Sequence, residues 1–343
     1  MECIIKMKNS DILLIAEIGA NHDKELNQAL ELVDIAANAG WNYLKLQTYS
    51  ANSLTMETDH PSARVQKIWG HQTLYQLYNA ASMPFEFHEP IMLRAKEKGL
   101  YPITTVYDPK DLTFTENLNF ETYKVASFEL TYDDLLMEIA KTKKKLILST
   151  GMASMHEIEH ALEILSIYNA GEVTLLHCCS SYPAEFEDIN LNSMISLKKN
   201  FGRKVGFSDH TLGSLAALTA CAMGATTIEK HFTNNTERPG PDHRFSATED
   251  ILREIAEGVH KIKKLQGSYE KKCSESELIN REKGRRSAFA IKNIERGTII
   301  TRDMFRFIRP GVGVQANDIS SLVGKKTNKY IQKGHPILYS DLE

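Results

Sequence analysis

No run of apolar residues in this chain is long enough to cross a bilayer. The longest, such as residues 12–16 and 146–148, fall far short of the ~20 a spanning helix needs. Met1 to Asp11 show no apolar core followed by a small-residue cleavage site, so no secretory leader is expected. Cysteine is scarce. The five present (Cys3, Cys178, Cys179, Cys221 and Cys273) form an odd set with two adjacent, which excludes a disulfide scaffold and points to a reduced, cytoplasmic setting. Charge of one sign is not in excess: 41 Lys and Arg face 44 Asp and Glu, leaving −3, so no nucleic-acid footprint and no membrane partner is expected. With 19 glycines and 10 prolines among 343 residues, 42% apolar and 25% charged, the chain is neither collagen-like nor a disordered tail. It also lacks internal repeats and low-complexity tracts.

What is present is a rhythm. Eight short apolar, β-branched segments recur at residues 13–18, 43–48, 100–105, 122–127, 146–150, 173–178, 204–208 and 226–230. Helical patterns separate them, as at residues 26–39, where Leu26, Ala29, Leu30, Val33 and Ala37 share a face. Eight alternations over residues 1–265 predict a (β/α)8 TIM barrel. A doubly wound dinucleotide fold would carry a Gly-rich turn after its first strand, and Ala16-Glu17-Ile18-Gly19-Ala20-Asn21-His22 has none. Residues 49–72 read as an insertion over the barrel mouth. Residues 266–286 read as a solvated linker, and 287–343 as a small β-rich domain that is marginal alone and must dock on a larger surface.

Catalytic groups of a barrel sit at the C-terminal strand ends. Those ends carry Glu17, Lys45 with Gln47, Thr105, Lys124 with Ser127 and Glu129, Ser149 with Thr150, His177, Ser208-Asp209-His210 and Glu229-Lys230-His231. Singly, each has a bland reading as a packed or snorkelling side chain. Together they do not, because buried charge is costly unless paired or liganded. Lys45 and Lys124 with the hydroxyls of Thr105, Ser127, Ser149 and Ser208 suit a phosphate and a carboxylate on one small ligand. His210 and His231, ending neighbouring strands, suit one divalent ion completed by ligand oxygens and water, Mn²⁺ ahead of Mg²⁺ or Co²⁺. His156-Glu157-Ile158-Glu159-His160 matches a zincin pattern, yet Ser154-x-x-Glu157 makes it the capped first turns of an outer helix. Gly324-Lys325-Lys326-Thr327 lacks the first glycine of a phosphate loop, and Asn234-Asn235-Thr236 is a sequon without a secretory route.

These strand ends, in order, resemble the sialic acid synthase family, the phosphoenolpyruvate-dependent synthases of nine-carbon nonulosonic acids. The matching segments are Ala16 to His22, Lys45-Leu46-Gln47-Thr48, Lys124-Val125-Ala126-Ser127-Phe128-Glu129, Leu148-Ser149-Thr150-Gly151-Met152, His177-Cys178 and Ser181-Tyr182-Pro183. They continue with Gly206-Phe207-Ser208-Asp209-His210, Ile228-Glu229-Lys230-His231-Phe232 and Arg238-Pro239-Gly240-Pro241-Asp242-His243. Arg285-Arg286-Ser287 and Ile308-Arg309-Pro310-Gly311 look like that family's antifreeze-like (SAF, β-clip) domain.

The resemblance implies a transferase that joins phosphoenolpyruvate to the open-chain aldehyde of an N-acetylated hexose, with C–O cleavage and phosphate release. It places the metal on His210 and His231, and phosphoenolpyruvate on Lys45, Thr105, Lys124, Ser127, Ser149, Tyr182 and Ser208. Glu17 falls near the reacting carbons, and Glu129 and Asp242 face the sugar. It further implies a homodimer in which the SAF domain covers the partner's barrel and Arg309 meets the sugar's N-acetyl group. The stretch around Leu74 to Tyr78 and the Ala-Ser-Phe-Glu sequence follow the pseudaminic branch, whereas Arg238 to His243 follow the sialic and legionaminic branches. Two rivals remain from the residues alone: a Schiff-base aldolase using Lys124 or Lys45, and a non-catalytic carbohydrate-binding protein.

Overall fold

Strands buried on both faces must be apolar throughout, and that is how the eight expected segments read. A computed structural model describes residues 12–65 and 73–343 and closes all eight into a parallel barrel. The strands are β1 (Leu13–Glu17), β2 (Tyr43–Thr48), β3 (Tyr101–Val106), β4 (Thr122–Val125), β5 (Lys145–Ser149), β6 (Val173–Cys178), β7 (Lys204–Asp209) and β8 (Thr227–His231). Each lies within two residues of its expected bounds. Residues 1–11, where no leader is expected and where Cys3 stands, and residues 66–72 of the insertion lie outside the described residues.

Helices α1 (Leu26–Asn38), α2 (Ala51–Leu54), α3 (Leu74–Ala81), α4 (His88–Glu97), α5 (Pro109–Asn117) and α6 (Asp133–Lys141) serve the first half of the barrel. Helices α7 (Met155–Ile167), α8 (Phe186–Ile189), α9 (Asn192–Phe201), α10 (Leu215–Ala222) and α11 (Glu249–Gln266) serve the second. Their starts follow local chemistry. Asp108 accepts the Lys110 N–H at 2.8 Å before Pro109 opens α5. Ser154 and Glu157 form the expected capping box of α7, with Glu157 Oε2 2.7 Å from the Ser154 N–H. That turn displays His156 and His160 outward, and His160 Nε2 lies 3.1 Å from Asp133 Oδ2 at the exposed surface. The main core lies between strands and helices, where Leu14, Ala16, Leu44, Leu46, Val125 and Leu148 meet Leu32, Ile91, Leu136 and Ile158.

The chain divides into two compact units, one ending at Gly267 and one spanning Ser268–Glu343. Within the second, α12 (Glu275–Gly284) occupies the expected linker; it buries none of its residues and is opened by a Ser274/Glu277 capping box. Beyond it β9 (Ser287–Ala290) pairs antiparallel with β10 (Phe305–Ile308) over a small core of Ala288, Ile300, Phe305, Val314, Leu322 and Ile337. Among the described residues no helix is long and apolar enough to cross a membrane.

Candidate active site

Which side chains enter the barrel follows from the pleat, since alternate residues of a strand face opposite sides. The register sets Glu17 beside Lys45 and His231, Thr105 beside Lys124, and Ser208 beside both Cys178 and Glu229. Toward the N-terminal end, Ile15, Ile103, Ile147 and Leu176 form a separate aliphatic cluster that floors the well. The same parity corrects one expectation. His177 faces outward, its Nε2 2.6 Å from the Ile189 carbonyl, so the polar group that β6 sends inward is the Cys178 thiol. Asp209 and Lys230 also point outward, as a buried pair at 2.7 Å.

At the centre lies a buried charge cluster. Lys45 Nζ sits 3.3 Å from Glu17 Oε2 and 3.0 Å from Glu229 Oε2. Burial alone would lower the Lys45 ammonium, but the two carboxylates more than offset it and its pKa is raised. Both carboxylates share one lysine, so they diverge. Burial, assisted by repulsion from Glu229 and opposed by Lys45, pushes Glu17 up to about 7. Glu229 is pulled down to about 2 because Lys124, Lys45 and the Ser208 hydroxyl at 2.9 Å outweigh its burial. Glu229 thus keeps the negative charge, and Glu17 can exchange a proton near neutrality. Gln47 Nε2 donates to Glu17 Oε1 at 2.6 Å. Glu229 and Gln47 were legible as strand-end polar groups; what could have given them roles is their spacing, each two residues from His231 or Lys45 and so on the same face.

Lys124 Nζ donates to Ser149 Oγ at 2.6 Å and to the Val125 carbonyl at 2.9 Å, and burial lowers its pKa to about 8. Around it stand groups with unused hydrogen-bonding capacity. Thr105 Oγ1 is buried without a partner. The Ser127 hydroxyl accepts the Gly151 N–H at 3.0 Å and lies 3.0 Å from Cys178 Sγ. Glu129 is buried with Oε2 unpartnered, and burial raises it to about 7 against the pull of Lys124.

On the β7–β8 side the rings of His210 and His231 lie 5.8 Å apart, and Tyr182 packs on His210 at 4.4 Å. Burial lowers the pKa of both histidines, which keeps the imidazoles neutral with a lone pair to give. The His210 Nδ1 lies 2.8 Å from the Cys179 carbonyl, the arrangement that orients a ligating ring and leaves its other nitrogen free. His231 Nδ1 is buried and makes no hydrogen bond. This donor set fits a divalent ion that takes two imidazoles from the protein and its other positions from ligand and water. No group of three His, Cys, Asp or Glu suited to a metal occurs among the described residues.

Asp242 Oδ2 accepts the Ala20 N–H at 2.9 Å and lies 3.5 Å from His231 Nδ1. Gly19 makes this approach feasible. Its φ is +55°, and a Cβ there would collide with Asp242 Oδ2 and stand 2.7 Å from His231 Nδ1. Gly19→Ala is therefore expected to cost about 1–2 kcal/mol from backbone strain alone. It should also cut turnover, read by denaturant midpoint alongside steady-state rate; wild-type values for both would refute the crowding. Arg309 is exposed, just after β10 in the second unit, and is the one expected site residue that the barrel does not hold.

A closed eight-strand barrel with lysines, carboxylates and imidazoles converging at its C-terminal mouth has the architecture and the polar cluster of a barrel enzyme's active site. The NeuB family profile matches residues 32–271 and the SAF domain profile residues 285–343. Over 331 residues the chain is 34% identical to the pseudaminic acid synthase of Helicobacter pylori, covering 96% of this chain and 97% of that protein. It is 36% identical over 320 residues to the N,N'-diacetyllegionaminic acid synthase of Campylobacter jejuni, covering 92% and 96% respectively. Among solved structures, the N-acetylneuraminic acid synthetase of Leptospira borgpetersenii in complex with citrate superposes with a TM-score of 0.70 at 30% identity, covering 78% of this chain and 90% of that one. The chain belongs to the NeuB family and ends in an SAF domain. It is an enzyme of the nonulosonic acid synthase class, which removes the non-catalytic binding-protein reading.

Proposed function

We propose that this enzyme condenses phosphoenolpyruvate with the open-chain aldehyde of an N-acetylated hexose, either N-acetylmannosamine or a 2,4-diacetamido-2,4,6-trideoxyhexose. The enol carbon C3 bonds to the aldehyde carbon, water adds at C2, and the C2–O bond breaks to release phosphate. The observation that supports this most is the pair of buried lysines, Lys45 and Lys124, beside unpartnered hydroxyl and carboxyl groups in one floored well.

In this reading Lys45, Lys124, Thr105, Ser127, Ser149, Tyr182 and Ser208 bind the phosphate and carboxylate, holding the anion in a desolvated pocket. Lys124, at about 8 in the free enzyme, is drawn back to its charged form by the incoming anion. As C3 attacks, positive character develops at C2, and Glu17 faces it as an anion or takes up the proton of the attacking water. Glu129 and Asp242 face the sugar. His210 and His231 would hold a divalent ion, Mn²⁺ with Mg²⁺ or Co²⁺ as alternatives, which supplies Lewis acidity at the aldehyde oxygen when bound. On the family resemblance we also propose a homodimer in which Arg309 serves the partner's sugar site.

Lys124 itself favours a second reading, because a depressed amine is also the signature of a Schiff-base lysine. One panel separates the two. Phosphoenolpyruvate and Mn²⁺ are incubated with N-acetylmannosamine, 2,4-diacetamido-2,4,6-trideoxymannose or the corresponding altrose, and phosphate is followed. Condensation predicts phosphate release that needs one of these sugars and is lost with a chelator. A covalent pyruvate adduct trapped by borohydride, without sugar-dependent phosphate release, would establish the aldolase instead.

A further inference from the structure

Behind Asp242 runs a chain of buried and half-buried polar groups that the proposed reaction leaves unused. His243 is wholly buried; its Nε2 lies 2.9 Å from Asp23 Oδ1 and its Nδ1 2.7 Å from Thr233 Oγ1. Asp23 Oδ2 accepts from Arg238 Nε at 2.6 Å. Asn21 Nδ2 donates to the Phe232 carbonyl and to Ser246 Oγ, each at 2.8 Å, and Ser246 Oγ donates to the Asp242 carbonyl at 2.7 Å. The turn after β1 is thereby fastened to the segment after β8, across more than 200 positions of sequence. The ties meet at one place, because the Ala20 N–H of the same turn holds Asp242 Oδ2.

The acid, imidazole and hydroxyl of Asp23, His243 and Thr233 have the order of a nucleophilic triad. They cannot act as one. Thr233 is fully buried and its hydroxyl lies 3.2 Å from the Asn235 carbonyl, out of reach of any substrate. The backbone points to a different task. Asp23 and Lys24, neither of them glycine, hold φ of +50° and +57°, a conformation that persists only where neighbours over-determine it. Asp242, in contrast, has one carboxylate oxygen tied to a backbone N–H, and the same oxygen lies 3.5 Å from His231 Nδ1. It is held and presented.

We infer that Asp23 and His243 are positioning residues for Asp242, locking the loop after β8 so that the carboxylate stays beside His231 and turned into the mouth. This rests on the reading of Asp242 as the group that meets the sugar. Neither Asp23 nor His243 touches substrate; they act through Asp242 alone.

The test is a kinetic split with a double-mutant cycle in the full-length protein, using whichever panel sugar the wild type turns over. His243→Ala is expected to raise KM for the sugar about tenfold while KM for phosphoenolpyruvate stays within about twofold. In an Asp242→Ala background it should add nothing further, because the group it positions is gone. Asp23→Asn should behave the same way. If His243→Ala does not fold, His243→Gln carries the test: its amide reaches Asp23 or Thr233 but not both, giving a partial rise of about threefold in the same KM alone. Equal rises in both KM values, or a further rise on top of Asp242→Ala, would overturn the assignment while leaving the condensation standing. Absence of sugar-dependent phosphate release by the wild type would overturn the condensation, and the assignment with it.

Discussion

Replacing Lys45 by methionine is expected to cost on the order of a thousandfold in kcat/KM for phosphoenolpyruvate and, separately, about 3–5 kcal/mol of stability. The first loss follows from taking a fixed cation out of a dry anion site. The second follows from what remains: Glu17 and Glu229 then face each other in the well with the ammonium between them removed. Glu17, already at about 7, would be forced further toward its protonated form. A carboxyl whose folded pKa is raised above its unfolded value binds protons more tightly when folded, so its stability contribution is present at low pH and lost as pH rises. The deficit of Lys45→Met against wild type should therefore stay nearly constant at mildly acidic pH and grow as pH rises through and beyond about 7, where wild-type Glu17 gives up its proton and the variant's Glu17 keeps it. Adding Glu17→Gln should restore much of the stability and none of the turnover. Urea midpoints across that pH range with parallel phosphate-release rates check both halves; turnover within tenfold of wild type would remove Lys45 from the anion site.

Mixing two inactive variants is expected to return activity from almost nothing to about a quarter of wild type. The variants are His231→Ala, lesioned in the barrel, and Arg309→Ala, lesioned in the SAF domain. Random exchange makes about half the dimers mixed. If each SAF domain serves the partner's barrel, every mixed dimer contains one barrel with intact imidazoles served by an intact arginine. If Arg309 serves its own barrel, every site carries one lesion and nothing returns. Exchange is verified by differently tagged subunits, so a silent mixture with demonstrated exchange would exclude the arrangement in trans.

Much of this was legible because a parallel barrel writes its strands as apolar runs and its site as the residues that end them. Lys45, Lys124, Ser149, Ser208 and Glu17 stood at those ends and meet in one well. What the chain hid was parity. His177 and Cys178 are adjacent at the end of β6, and only the register against β7 decides which enters the lumen; a slip of one residue exchanges them. Also hidden were contacts between distant positions. Neither Asp23 nor His243 announces the other across 220 residues, and no local pattern ties Thr48 to His88 and Thr104, which meet in a buried cluster at 2.8 and 2.7 Å. The helix within the expected linker was missed for the opposite reason. It buries nothing, so hydrophobic periodicity was silent, and its one signal was the Ser274/Glu277 cap.

The four aliphatic side chains beneath the charged cluster have a consequence for traffic. Ile15, Ile103, Ile147 and Leu176 stop the barrel from being a channel, so the well has a single door. On the proposed reading, the molecule seated against Lys124 and Ser149 lies deeper than the one met by Asp242. A single door then imposes a queue: the three-carbon acid must come in first, and the sugar, arriving second, shuts it in until the two have become one molecule. Residues that never touch either reactant would set the order in which they are admitted.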